Sequence, residues 1–417
     1  MSGKVVIIGS GPAGLAASVS LARRGIRPLI LERLDRPALK LRASGGGRCN
    51  FSNVLPPEDF MRKFGRNGAF MRDALGAYPR EKLLEFLHGA KVRTELTDDF
   101  FYFPASGKAG DIADAFLRMS KAEVRTDSEV ISIKTEDKTV TGVTLKNGEK
   151  LSADAAILAA GGCAWAGLGT SAGLKLAEQL GHMVVKPLPA VAPLIVREEW
   201  VGKLAGLTLP NARLTLRSGR NTLVTEGSLL FTHNGFSGFP ALDLAGEASA
   251  LCDRDGTAEL TVQFESGMDE TVWGLICASA RKRCGSRLIR SILHEYLPRS
   301  IAETAATLCG CFETKAANLS AEAGRDLIRF LAGCRLTLLG AGPMDRAMAM
   351  RGGISLKEVD PATLSSRKVR GLYFAGEILD LAGPCGGYNM QWAFSSGFFA
   401  GDAAALFLQT GTGKETI

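Results

Sequence analysis

Histidine is scarce in this 417-residue chain, with four residues at His88, His182, His233 and His294. They are too dispersed to build a histidine metal cluster, so no metal site is expected. The nine cysteines include no paired Cys-x-x-Cys and no Cys-x4-Cys, which leaves a zinc ribbon and a glutathione-reductase-type redox disulfide without support. With no secretion signal apparent they read as reduced thiols, and a cytoplasmic location is expected. Long uninterrupted apolar runs are missing too. Residues 155–174 and 381–401 carry no charge, but glycines break both and Pro384 breaks the second, so neither reads as a membrane span. Internal repeats and low-complexity segments are absent. Lys and Arg exceed Asp and Glu by seven, with Arg281-Lys282-Arg283 as the densest run. So modest an excess fits a solvated surface better than a stable nucleic-acid partner.

Glycine, in contrast, is abundant: 49 residues, about 12% against a usual ~7%. The first cluster follows the β-branched run Val5–Ile8 and reads Gly9-Ser10-Gly11-Pro12-Ala13-Gly14, after which Leu15, Val19 and Ala22 recur at helical spacing. A short strand, Pro28–Leu31, comes next and ends in Glu32. Strand, glycine turn, helix and an acidic residue 18 positions past Gly14 form a dinucleotide-binding pattern. The glycines allow a tight turn, room for a pyrophosphate and close helix packing, while Glu32 can accept both ribose hydroxyls. A carboxylate there suits FAD or NAD rather than a 2′-phosphorylated dinucleotide. Near the far end, Gly371–Glu377 is a strand ending in Gly-acid, followed by Gly386-Gly387-Tyr388-Asn389 and a helix with Ala393, Gly397 and Gly401 on one stripe. A second carboxylate beside a second helix start fits a long ligand such as FAD, with Glu377 near its ribityl or pyrophosphate part.

Between these ends the pattern changes. Residues 36–53 lack periodicity and read as an ordered loop. Arg80–His88 and Asp111–Met119 read as amphipathic helices, and Val124–Lys150 as a β-meander turning at Asn147-Gly148. Ala155–Ala160 is a buried strand and Ala172–Leu180 a helix. Residues 190–265 hold short strand patterns, whereas Thr271–Arg283, Arg287–Tyr296, Ile301–Leu308 and Ala321–Leu331 are helical. The expected architecture is α/β: a Rossmann-like FAD-binding domain from residues 1–189 and 346–417, with a β-rich domain (190–268) and a small helical domain (269–345) inserted.

Five segments carry a resemblance to a known family: the first glycine motif, SGGGRCNFSN at 44–53, FPASGKAGDIADAF at 103–116, LFTHNGFSG at 230–238 and GLYFAGEILDLAGPCGGYNMQWAFSSG at 371–397. Together they resemble the BaiN/YhiN-like flavoproteins, also known as aminoacetone-oxidase-family FAD-binding enzymes, over essentially the whole chain. The resemblance implies a glutathione-reductase-type FAD domain built from both chain ends. It places Gly9, Gly11, Gly14, Glu32, Lys40, Ser44, Gly46, Arg48, Asn50, Gly376, Glu377 and the turn Gly386, Gly387, Tyr388, Asn389, Met390 at FAD. The expected contact set is completed by Ser10, Pro12, Ala13, Arg33, Gly45, Cys49, Val130, Ala160, Gly161 and Asp380.

The expected activity is FAD-dependent oxidoreduction of a small organic substrate. With one dinucleotide motif only, a reducing NAD(P)H would bind transiently and the favoured reaction is reduction of an activated double bond. Two alternatives stay open: oxidation of a small amine with formation of hydrogen peroxide, and a flavin-containing nucleic-acid-modifying or redox-sensing role. Arg351, His233 and Tyr388 are the candidates for the reacting side. Arg351 is a permanent cation beside a glycine pair, suited to an anionic or carbonyl substrate. His233 either faces substrate or bonds the backbone. The inserted segment is expected to cover the substrate side through the His233 and Arg351 regions.

Overall fold

The computed structural model describes residues 3–219 and 221–410. The chain forms two compact units, one from residues 3–188 and 344–410, the other from 189–343.

The first unit is built on a five-stranded parallel sheet ordered Leu372–Phe374, Ala155–Leu158, Val5–Ile8, Leu29–Leu31, Glu123–Arg125. Its central strands, VVII and AAIL, are buried on both faces, as a doubly covered parallel sheet requires. The strand nearest the C-terminus therefore lies beside one from mid-chain, with Ala156 opposite Leu372. Helix Pro12–Arg23 packs on helix Tyr388–Gln409 through missing side chains. A Cβ on Gly397 would sit 2.2 Å from the Ala13 carbonyl oxygen, and one on Gly401 2.5 Å from that of Ala17. Two small antiparallel sheets (Ser52–Asn53, Phe101–Pro104, Thr94–Thr97; and Val130–Glu136, Thr139–Leu145, Lys150–Ser152) complete the unit, with a two-stranded pairing of Ala349–Ile354 to the strand that opens at Val184.

The second unit is a closed antiparallel barrel in the order Leu194–Val196, Gly235–Ser237, Asn221–Thr232, Thr208–Ser218, Ala258–Gln263, Cys334–Ala341. Alternation fills it: Leu214, Leu216, Phe231, Phe236, Leu260, Val262, Leu336 and Leu338 are buried. Helices Glu270–Arg283, Ile289–Leu293, Arg299–Leu308 and Ala321–Gly333 lie in the chain between the fifth and sixth strands.

Several expectations change here. The segment 269–345 is not purely helical, because Cys334–Ala341 closes the barrel; its alternating burial marks it as a strand. The span 190–265 also contains the 17-residue helix Phe239–Asp255, whose Ala- and Leu-rich face covers barrel strands and was hidden by the strand patterns around it. Glu123–Arg125 leaves the meander for the parallel sheet, where Val124 pairs with Ile30. The 36–53 loop contains a short helix, Leu39–Ala43, and Arg287–Tyr296 keeps only Ile289–Leu293 as helix.

Candidate functional site

The glycine turn links Val5–Ile8 to helix Pro12–Arg23, and its three glycines differ physically. Gly9, at φ +104°, has the Ala159 carbonyl oxygen 2.6 Å from where a Cβ would stand; for Gly14 the Gly9 carbonyl oxygen is 2.0 Å away. Gly11 has no protein atom within 4 Å of its Cβ position. Gly9 and Gly14 are thus required by packing, while Gly11 leaves a space beside a helix start. No side chain caps that helix, so its first N–H groups and positive dipole end are available to an anion. Pro12 and Ala13 form its first turn.

Glu32 stands at the tip of the neighbouring strand. Its Oε2 accepts hydrogen bonds from the Ser10 amide (2.9 Å) and hydroxyl (2.5 Å), and its Oε1 accepts from the Leu34 amide (2.9 Å). Three donors fix the carboxylate beside the glycine turn, with lone-pair capacity left on Oε1. Next to it, Arg33 reaches the carbonyls of Gly167, Leu168 and Gly169 at 3.4–3.5 Å.

Glu377, in the short turn after Leu372–Phe374, collects three other segments. Its Oε2 accepts from Lys40 Nζ at 2.6 Å and from the Gly162 amide at 3.1 Å; its Oε1 accepts from the Met350 amide at 3.1 Å. Ala160 and Gly161 lead into that Gly162 contact, and the Gly376 Cβ position is 2.8 Å from Ala13. Asp380 makes a parallel clamp, accepting from the Gly352 amide (3.1 Å) and from Asn67 Nδ2 (3.4 Å). Met350 and Gly352 therefore turn their N–H groups toward this carboxylate turn. Met350 Sδ meets Cys163 Sγ at 3.6 Å, so the pleat puts the Arg351 side chain on the opposite face of the strand.

The loop at 44–53 is shaped by glycine. Gly45 and Gly46 form a left-handed turn, and Ser44 Oγ donates to the Leu41 carbonyl at 2.6 Å. Cys49 is fully buried at φ +59°, and burial pushes its thiol up to about 12, so it carries no thiolate at neutral pH. Arg48 lies over the Phe103 ring, 4.6 Å from its centroid. The loop meets the C-terminal turn closely: a Cβ on Gly387 would fall 2.6 Å from the Ser52 backbone, and Asn53 Nδ2 donates to the Gly386 carbonyl at 2.8 Å. Asn50 Oδ1 and Ser52 Oγ are buried there without a hydrogen-bond partner. An orphaned acceptor and an orphaned hydroxyl beside an uncapped helix start are what a bound polar ligand would satisfy.

The remaining expected residues are spread more widely. Asn389 closes its own loop, exchanging bonds with both backbone groups of Gly383, and Met390 sits in the first turn of the last helix. Tyr388 is 4% exposed, its ring packed on Phe60 and Phe64 with centroids 5.0 and 6.4 Å away, which gives it a packing position. Val130 is buried at the start of its strand. Arg351 belongs to the nucleotide-binding unit and not to the insertion, because the chain re-enters that unit at residue 344. His233 lies in the second unit, in the turn between Asn221–Thr232 and Gly235–Ser237. Gly162, Asn67 and Met350 escaped sequence reasoning because each contributes a backbone or amide group, and nothing in their spacing marks it. Among the described residues there is no group of three or more His, Cys, Asp or Glu able to hold a metal, and no helix long and apolar enough to cross a membrane.

The HI0933-like Rossmann-domain family model matches residues 3–403. The chain belongs to that family. It is accordingly an FAD-dependent oxidoreductase. It is 30% identical over 411 residues to the 3-dehydro-bile acid Δ4,6-reductase of Clostridium scindens, covering 96% of this chain and 99% of that protein. It is 28% identical over 404 residues to the ribosomal RNA dihydrouridine synthase of Escherichia coli, covering 94% and 95%. Among solved structures, the FrdA subunit of Escherichia coli quinol fumarate reductase shares the fold, with TM-score 0.52, 15% identity, and coverage of 100% of this chain and 72% of that one.

Proposed function

We propose that this protein reduces a carbon–carbon double bond conjugated to a carbonyl group in a small organic molecule, with electrons from a transiently bound NAD(P)H. One observation carries the reading: the two relatives above, each matched over nearly its full length, are named for saturating such a bond, one in a bile acid and one in the uracil ring of RNA. When bound, FAD supplies the hydride chemistry. The chain supports it as follows. Glu32 accepts the adenosine ribose hydroxyls, and the space beside Gly11 with the first turn of Pro12–Arg23 receives the pyrophosphate. The Lys40–Glu377 pair, with the orphaned Asn50 and Ser52 oxygens, faces the ribityl and ring end. Arg351 orients the substrate carbonyl. The test is anaerobic mixing of holoprotein with NADH or NADPH, then with enones. Bleaching of the visible flavin absorbance and its recovery on adding an enone is the expected result. Recovery only with oxygen would replace this reading with an oxidase.

A second reading takes the same reaction to a uracil ring in RNA. It is favoured by charge distribution: residues 189–343 carry sixteen Lys and Arg against sixteen Asp and Glu, so the whole excess of seven positive charges lies in the nucleotide-binding unit. Dihydrouridine formed in an RNA transcript incubated with holoprotein and NADPH would select it.

A further inference from the structure

A concavity in the first unit, away from the glycine turn, takes no part in the site described above. It has a volume of about 330 Å3 between the hairpin Thr94–Thr97/Phe101–Pro104 and helix Ala109–Ser120, and its polar walls are Lys91, Arg93, Ser106, Asp111, Asp114 and Arg118. The charges around it are unbalanced. Asp114 is already paired with Arg42 of the short helix Leu39–Ala43 at 2.5 Å. Among the described residues Lys91, Arg93 and Arg118 have no carboxylate partner; Arg118 is braced only by donating to the Ala90 carbonyl at 3.1 Å. Three cations thus face a single unpaired carboxylate, Asp111.

One further feature points the same way. Ser106 Oγ accepts from the Lys108 amide at 3.2 Å, which leaves its hydroxyl proton free to donate outward. Cations and a hydroxyl donor suit a phosphate, and a lone carboxylate among them suits the hydroxyl of an attached sugar. The Arg42–Asp114 pair also ties the concavity to the short helix Leu39–Ala43, which carries Lys40.

We infer that this concavity binds a ribose phosphate, with Lys91, Arg93 and Arg118 on the phosphate and Asp111 on the ribose. The inference deepens the reading above, in which either the electron donor or the substrate brings such a group: a phosphorylated nicotinamide dinucleotide or an RNA strand. Binding needs no turnover, so the two readings can fail separately. The experiment titrates holoprotein with 2′,5′-ADP, with adenosine, and with a short single-stranded RNA at one fixed salt concentration. At least one phosphate probe is expected to bind, adenosine to bind at least tenfold more weakly, and Arg93→Glu and Lys91→Glu each to weaken the phosphate probe at least tenfold with flavin content and spectrum unchanged. Binding of 2′,5′-ADP alone identifies the dinucleotide as the source, and binding of RNA alone identifies the nucleic acid. The inference is overturned if neither probe binds, or if both variants keep wild-type affinity for them.

Discussion

Lys40 and Glu377, 337 residues apart in sequence, meet in a 2.6 Å ion pair that joins the short helix Leu39–Ala43 to the turn after the last strand of the sheet. Both side chains are about a quarter exposed or less, so the pair is partly shielded from water. Lys40→Met and Glu377→Gln are each expected to cost about 1–3 kcal/mol and to speed FAD release, with the double variant costing less than the sum. A double-mutant cycle by chemical denaturation measures this; strict additivity would show that the pair contributes nothing.

Gly11 and Gly14 separate ligand binding from folding. Gly14→Ala puts a methyl group 2.0 Å from the Gly9 carbonyl oxygen and should destabilise the unit by about 3 kcal/mol or unfold it. Gly11→Ala meets no protein atom within 4 Å and has an ordinary backbone φ of −67°, so it should lose no more than about 1 kcal/mol of apoprotein stability. Its affinity for FAD should nonetheless fall at least tenfold, read by fluorescence titration of apoprotein. Equal FAD affinity in Gly11→Ala would remove the pyrophosphate from this turn.

A fragment ending at residue 188 should neither fold stably nor retain flavin. It would expose the edge of Ala155–Leu158 where Leu372–Phe374 pairs and the face of Pro12–Arg23 that helix Tyr388–Gln409 covers. Gly397→Leu in the full chain should reproduce part of this loss, because the new side chain would run into the Ala13 carbonyl. Solubility, far-ultraviolet circular dichroism and bound flavin decide it; a yellow, folded fragment would contradict the two-ended assembly.

His182 gives the stability a pH dependence. It is buried, with Nδ1 bonded to the Ala177 carbonyl (3.2 Å), Nε2 to Ser366 Oγ (2.8 Å), and its ring edge-on to Phe374. Burial lowers its pKa below the usual 6.5, since a charged imidazole would be desolvated. The unfolded chain then takes up a proton at a higher pH than the folded one. The contribution is complete above pH 6.5 and declines as pH falls from there toward the lowered folded value. Denaturant midpoints at pH 7.5 and 5.5 should differ less in His182→Gln than in the wild type.

Local signals carried much of the nucleotide-binding half. A strand, three spaced glycines, a helix period and Glu32 are contiguous, and contiguous patterns are readable because the backbone geometry they require is local. Gly9 and Gly14 bear this out, each standing where a side chain would collide with backbone. Glu377 was recognisable as an acidic residue at a strand end, but nothing near it in sequence showed that its oxygens hold Lys40, Gly162 and Met350 at once.

By itself the sequence determined the dinucleotide turn, the α/β class and the presence of a β-rich insertion, since each follows from residue types repeating within a few positions. Tertiary structure alone decided that Cys334–Ala341 closes the barrel after four helices, that Ala349–Ile354 pairs with the strand opening at Val184, and that Asp380 and Glu377 both clamp the strand holding Arg351. The physical reason is that pairing partners and buried carboxylate contacts depend on which distant segments arrive together. A strand's own six or eight residues specify its faces but not its neighbours.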